Sequence, residues 1–399
     1  MMPTTSIDTT LVPLQQELRR VGTEPLDWSL ARHRVLAQDV LADRDNPALD
    51  VSAMDGYAVR MDQLKTLPSP PIPVQGTVAA GMTAPELLAG YAMRVFTGAP
   101  TPRGCECVVK REDTHESESS VVFNPSPVPT KPGDNIRRQG ENAIQGSVVA
   151  RAGVPLTAAN IGAAVSFGAY TLQVFRPVRV HVINTGDELK SAKDQVMPWQ
   201  IRDSNGPTLE FLLGNLPWVQ CMGRKAVDDR LEWIADAIAA SLDEADAVLL
   251  TGGVSMGDAD HVPAAVQKAG ATIVFHRIPI RPGRPVLGAV GPKGQLIFGM
   301  PGNPVSVAVT ARRFGIPLLK SIAGWKETLE PTSRVRLLRP DSRTLPLTWY
   351  RLARWVERGA VELVDTRGSG DQVSLGASDG FVEIPPNGTG EGPWAWYPW

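Results

Sequence analysis

Cysteine is scarce, with three residues (Cys105, Cys107 and Cys221) in a chain of 399. An odd, sparse count excludes a disulfide framework and fits a reducing compartment, so a cytoplasmic location is expected. Cys105-x-Cys107 is too close for a Cys-x-x-Cys clamp and reads as two positions on one face of a strand. Histidine is also sparse, at five, and no spacing among the five suggests a metal site; His181 reads as a core side chain, and His261 is a secondary candidate. No apolar run approaches the ~18 residues of a membrane-spanning helix. The first residues, Met1-Met2-Pro3-Thr4-Thr5-Ser6, have neither a basic start nor an apolar stretch, so no secretory signal is expected. Charge of one sign is lacking too: 40 Lys and Arg face 42 Asp and Glu, a net charge of -2. That excludes a globally basic binder of nucleic acid or anionic lipid. No Gly-x-Ser-x-Gly elbow and no Ser-His-Asp arrangement stands out.

What is present is punctuation and arginine. Glycine and proline are abundant, at 37 and 35, and of the basic residues 30 are Arg and 10 are Lys. The patterning divides the chain into four parts. Residues 1–45 and 146–176 read as a helical or mixed linking domain, with Leu11, Leu14 and Leu18 on one helical face and a second helix over residues 28–37. Residues 46–145 read as a β-rich insert. Residues 177–328 repeat strand–loop–helix units, which predicts a doubly wound, mostly parallel α/β sheet. One of its helices, over residues 231–242, presents Trp233, Ile234, Ala237 and Ile238 as its apolar face. Residues 329–399 read as a small β-barrel, with the aromatic tail Trp394-Ala395-Trp396-Tyr397-Pro398-Trp399 packed on it.

In a doubly wound sheet, ligands bind at the edge where loops leave the carboxyl ends of the strands. The polar clusters of residues 177–328 fall in such loops. Gly252 and Gly253 follow a short buried strand and allow close approach of backbone to phosphate. Glu188, Asp228 and Asp260 are candidate oxygen ligands of a hard divalent cation. Arg277, Arg281 and Arg284 suit a multiply charged oxyanion or phosphate. Pro301-Gly302-Asn303-Pro304-Val305-Ser306 supplies a further loop at this edge. Together they describe a site for a phosphorylated ligand, a cation and a second anion.

Several stretches resemble the molybdopterin molybdenumtransferase (MoeA) family, which is related to the E domain of gephyrin. They are Ser52-Ala53-Met54-Asp55-Gly56-Tyr57-Ala58-Val59-Arg60, Phe96-Thr97-Gly98-Ala99, Asn135-Ile136-Arg137-Arg138-Gln139-Gly140-Glu141, Thr185-Gly186-Asp187-Glu188-Leu189 and Arg202-Asp203-Ser204-Asn205. Two more are the run from Gly252 through Ser255 to Asp260 and the Pro301–Ser306 stretch. The resemblance implies insertion of molybdate into adenylylated molybdopterin with release of AMP, dependent on Mg²⁺. It implies a homodimer of four-domain subunits and a molybdopterin adenylyltransferase as supplier of the substrate. It assigns catalytic or metal-handling roles to Glu188, Asp228 and Asp260, and functional roles to Asp55 and Thr97. It assigns ligand binding to Asp203, Ser204, Asn205, Gly252, Gly253, Ser255, Pro301, Gly302, Asn303 and Ser306, and to the three arginines, where the family usually has lysine. Asn142 stands where the family pattern has Asp. Two alternatives are a paralogue or scaffold that binds molybdopterin with little turnover, and a molybdopterin adenylyltransferase.

Overall fold

The computed structural model describes residues 8–255, 260–329 and 332–399. Four residues of the glycine-rich motif, 256–259, lie outside these, as does the N-terminal hexapeptide read for a signal. The chain forms two compact units, one of residues 1–38, 152–158 and 171–399, the other of 39–151 and 159–170.

The first unit is built on a six-stranded sheet. Its order is Val219–Val227, Val178–Thr185, Ala247–Thr251, Leu296–Met300, Leu287–Val290 and Thr272–His276. The first four strands are parallel; the last two join antiparallel. Alternation along the strands divides the core into two layers. Val178, Val180, Val182, Leu249 and Phe298 face helices Asp8–Glu17 and Asn205–Gly214 and the helical run starting at Pro304. Ile183, Val248, Leu250 and Ile297 face helices Leu231–Glu244 and Val262–Lys268 on the other side. This is the expected doubly wound layer, and Leu11, Leu14 and Leu18 are buried in it.

The last part of the chain closes into a barrel. Strand Thr348–Glu357 pairs with Ala360–Leu363, that strand with Ser333–Leu337, Ser333–Leu337 with Trp394–Pro398, and Trp394–Pro398 with Gly380–Ile384. The last of these returns to Thr348–Glu357 and closes the ring. The aromatic tail is therefore a barrel strand: Trp396 and Tyr397 are buried, and the Tyr397 ring stacks on Phe381 at 5.1 Å.

The second unit carries a six-stranded sheet in the order Cys107–Lys110, Gly56–Val59, Ala92–Val95, Ile72–Val78, Ser120–Phe123, Thr114–Glu116. Residues 46–145 fall wholly within this unit.

Three local expectations differ from the structure. Residues 28–37 contain only a short 3-10 turn, Trp28–Leu30. Strand Thr23–Asp27 before it pairs with Thr171–Phe175, Leu36 bridges Val174, and Arg34 donates to the Phe175 carbonyl, so sheet pairing outweighs helix propensity there. Trp233 is exposed, with the Arg230 guanidinium 4.6 Å from its ring; Ala235 and Leu242 join Ile234 and Ile238 in the buried face instead. Cys105 precedes the strand that holds Cys107, and its Sγ contacts the Cys107 carbonyl at 3.2 Å. Burial pushes the two thiols up to about 11 and about 12.

Candidate functional site

Sheet register sets the site. Thr185 lies opposite Val227, Asn184 opposite Thr251, and Thr251 opposite Met300. The loops that carry Glu188, Asp228, Gly252, Gly253, Ser255, Asp260, Pro301, Gly302 and Asn303 therefore all leave one edge. Arg277 follows His276, which is level with Leu287 and Gly299, so the arginine loop leaves that edge as well.

The edge has an acidic end and a basic end. Glu188 and Asp228 are exposed where the first two strands finish, and Asp260 is half-buried just before helix Val262–Lys268. Among the described residues no three His, Cys, Asp or Glu side chains are grouped as ready ligands for a metal ion. Between the strands leading to Glu188 and Arg277 lie four strand spacings, about 19 Å. Glycine turns occupy the middle. Gly252 (φ +89°) lies so close to strand Val178–Thr185 that a Cβ there would sit 2.5 Å from the Thr185 carbonyl oxygen. At Gly253 (φ +61°) a Cβ would sit 3.2 Å from Thr185 Oγ1 and 3.9 Å from Asp229 Oδ1. The Gly252 N–H donates to the Met300 carbonyl at 3.1 Å, so this amide is spent within the fold.

Asp203, Ser204 and Asn205 brace the edge. Asp203 accepts from the Gly206 N–H (3.0 Å), from Asn184 Nδ2 (3.2 Å) and from Arg224 (3.0 Å). Asn205 Nδ2 donates to the Gly302 carbonyl at 2.7 Å. Gln372, from the barrel, donates to Ser204 Oγ at 2.5 Å. Among the described residues, two buried side-chain oxygens beside these turns, Asn184 Oδ1 and Asn205 Oδ1, have no hydrogen-bond partner, and the buried Thr185 hydroxyl and Asp229 carboxyl neighbour each other there. Unsatisfied buried polar atoms are uncommon in folded proteins. Asp229 is the second member of the Asp228-Asp229 pair that follows its strand, and only Asp228 was expected to have a role. Burial raises its carboxyl above the ordinary value; the neighbouring Thr185 hydroxyl opposes that shift, while Asp187 and Glu188 add to it.

At the basic end, a cleft of about 680 Å³ opens between the arginine loop and the barrel. Arg281, Arg284, Pro301, Asn303 and Ser306, all sequence candidates, line one side of it. The barrel contributes Arg343, Trp349, Arg351 and Arg367, which sequence reasoning missed. Strand Ile280–Arg281 pairs in parallel with Thr348 and Trp349, which joins the arginine loop to the barrel. Guanidinium carbons of Arg281, Arg343 and Arg351 lie 5.8, 5.6 and 4.3 Å from the Trp349 ring centre. Arg351 and Arg343 share Asp341 at 2.7 and 2.6 Å. Among the described residues Asp365 is the one carboxylate lining the cleft, against five arginines, two of which are paired with Asp341 behind it. A loop of the barrel straps its mouth: Asn303 Nδ2 donates to Ser369 Oγ (2.9 Å) and the Val305 N–H to the Ser369 carbonyl (3.0 Å). Arg277 is exposed and does not line the cleft.

In the second unit, Asp55 and Thr97 meet. Asp55 Oδ1 accepts from both the Thr97 N–H and its hydroxyl, each at 2.8 Å. Those two bonds, the backbone one first, hold the Asp55 carboxyl below its ordinary range. Asn142 is fully engaged: its Oδ1 accepts from Arg137 (2.7 Å) and its Nδ2 donates to Asn46 Oδ1 (2.8 Å).

Two family profiles match the chain: "MoeA N-terminal region (domain I and II)" over residues 5–168 and "Probable molybdopterin binding domain" over residues 181–321. The molybdopterin molybdenumtransferase of Synechococcus elongatus is 40% identical over 304 residues, 72% of each chain. That of Haemophilus influenzae is 35% identical over 312 residues, 77% of this chain and 75% of its own. A crystal structure of the molybdopterin biosynthesis moeA protein from Pyrococcus horikoshii superposes with a TM-score of 0.80 at 26% identity, covering 97% of both chains.

Proposed function

The chain belongs to the molybdopterin molybdenumtransferase (MoeA) family, and from that premise we propose that it inserts molybdate into adenylylated molybdopterin and releases AMP. It is a transferase of molybdenum cofactor biosynthesis. The observation that carries the finer reading is the cleft of about 680 Å³, where two candidate loops of the α/β edge meet a barrel wall of arginines. Five guanidinium groups against two carboxylates, Asp365 and the Asp341 shared by Arg343 and Arg351, leave an excess of about three positive charges, which favours a ligand with more than one negative charge. In our reading Arg281, Arg284 and Arg351 bind molybdate or phosphate oxygens there, and Pro301, Asn303 and Ser306 form the opposing wall. Arg in place of Lys at 277, 281 and 284 keeps the charge and adds a planar fork of donors.

The glycine turns and the buried oxygens beside them take the middle of the substrate, and Glu188, Asp228 and Asp260 handle its far end. Mg²⁺ is usually held by one or two carboxylates, with water and substrate phosphate completing its shell. Exposed Glu188 and Asp228, at the ends of adjacent strands, fit that pattern, and an ion there would neutralise phosphate charge. Asp203, Ser204 and Asn205 hold the turns in place from behind.

The same premise carries the remaining expectations: a homodimer, in which Asp55 and Thr97 serve the neighbouring subunit's site; a molybdopterin adenylyltransferase as supplier; and a cytoplasmic location. The four-domain division at 1–45 with 146–176, 46–145, 177–328 and 329–399 belongs to this reading too. No helix among the described residues is long and apolar enough to cross a membrane.

Reconstitution tests the proposal. Adenylylated molybdopterin, molybdate and Mg²⁺ should yield AMP and a cofactor able to activate a molybdenum apoenzyme. No AMP release, under conditions where the Synechococcus relative is active, would refute it.

A further inference from the structure

The two walls of the arginine cleft come from different layers, and something must fix their separation. The helical run that begins at Pro304 lines the cleft with Val305 and Ser306. About 8 Å further along at 1.5 Å per residue, it enters a π-helical turn, Ala311–Gly315. Wider turns of this kind recur at functional positions. Here two successive arginines in the turn both grip the barrel. Arg312 Nε donates to the Pro398 carbonyl at 3.0 Å. Arg313 Nε donates to Glu383 Oε2 at 2.8 Å, and both side chains are more than nine-tenths buried. Tyr397 donates its hydroxyl to the same Glu383 oxygen at 2.9 Å, and the Arg313 guanidinium lies 5.3 Å from the Tyr397 ring centre. Glu383 is in turn the register partner of Tyr350. Tyr350 and both its neighbours, Trp349 and Arg351, line the cleft.

A buried ion pair is a poor way to gain stability. Its desolvation penalty is comparable to its attraction, and apolar replacements of similar volume often hold a fold as well or better. A pair of this kind in a layer interface is better explained by the arrangement it enforces. We infer that Arg313 and Glu383 are positioning residues for the cleft: they lock the helix carrying Ser306 to the strand beside Tyr350 and so set the spacing of the two anion-binding walls. The inference rests on the reading of the cleft as the anion site. Neither residue touches the ligand, and both act through Ser306 on one wall and Trp349 and Arg351 on the other.

The test replaces the pair by apolar side chains in the full chain, Arg313→Met with Glu383→Leu. Two readouts are taken beside thermal unfolding: the affinity for molybdate and for AMP by calorimetry, and amide hydrogen exchange at residues 281–284 and 366–372. The double variant should unfold no earlier than the parent. It should bind both anions at least tenfold more weakly, and exchange at least tenfold faster at both segments. Parental affinity and exchange in the folded double variant would overturn the inference. If the pair is broken on one side only, by Glu383→Leu, the midpoint should fall, and adding Arg313→Met should restore stability but not affinity. If the parent binds neither anion, the assignment of the cleft fails, and the exchange rates alone judge the clamp: unchanged rates refute it.

Discussion

Replacing Gly252 by alanine tests the packing of the glycine turns against the strand ends. Two costs can be read from the geometry. The residue sits at φ +89°, where an L side chain is strained by roughly 1–2 kcal/mol. The new Cβ would lie 2.5 Å from the Thr185 carbonyl oxygen and 2.8 Å from its Oγ1. Both neighbours are held rigidly in a buried strand end, so the turn itself must retreat, which strains its bond to the Met300 carbonyl. Overpacking of this kind costs about 1–3 kcal/mol. The sum is roughly 2–5 kcal/mol, a fall of about 5–15 °C in the unfolding midpoint of that unit. Gly302 is the control. Its Cβ would meet nothing nearer than Gly252 Cα at 3.6 Å, and its φ is not left-handed. Gly302→Ala should therefore change stability by no more than about 0.5 kcal/mol. Calorimetric unfolding of the two variants decides it. A Gly252→Ala protein as stable as the parent, or a Gly302→Ala protein equally damaged, would refute the described approach of turn to strand.

Glu188→Gln should leave the unfolding midpoint within a degree or two of the parent and reduce AMP release at least about a hundredfold; full activity would remove Glu188 from the site. Asp55 should titrate below the ordinary aspartate range when its carboxyl carbon is followed by NMR, and Thr97→Val should move it upward toward that range, since the two Thr97 bonds lower it. Because the folded value is depressed, any stability from this contact is present at neutral pH and is lost as pH falls through the folded value; the variant should lose that low-pH dependence. Ellman titration of the native protein at pH 8 should find one fast thiol, the exposed Cys221, with half-buried Cys105 slower because its thiol is pushed up and buried Cys107 reacting only on unfolding; three equally fast thiols would contradict this order.

The α/β layer was legible because its strands alternate and its helices repeat at 3.6 residues, and both periods survive in the buried residues. Val178, Val180 and Val182 show this; Leu11, Leu14 and Leu18, read as one helical face of the 1–45 segment, keep that face, but its packing against the α/β strands was not read from the sequence. Residues 28–37 misled because their apolar content serves sheet bridges and a short turn, and propensity does not see a pairing partner more than a hundred residues away. Trp233 misled because a large apolar side chain at a boundary can lie under an arginine in solvent. The loop residues of the candidate site could be picked out because each follows a strand. Their separation into an acidic and a basic end could not, since it depends on strand order. The barrel wall was hidden for the same reason. Arg343, Trp349 and Arg351 form a visible cluster in sequence, yet only barrel closure and the pairing of Ile280–Arg281 bring them to the cleft. Asp55 and Thr97 are 42 residues apart and meet through two hydrogen bonds to one carboxylate oxygen; the resemblance gave each a role but no contact between them. Asn142 likewise gains meaning from its partners: an aspartate there could accept from Arg137 but could not donate to Asn46. The aromatic tail forms a barrel strand in which Trp396 and Tyr397 are buried while Trp399 remains exposed.

The central claim is that the oxyanion binds at the basic end of the strand edge. Anomalous diffraction from crystals of the full chain soaked in molybdate tests it directly. The account predicts one molybdenum peak in the cleft, within hydrogen-bonding reach of Arg281, Arg284 or Arg351. A peak beside Glu188 and Asp228, or one elsewhere with the cleft empty, would contradict it.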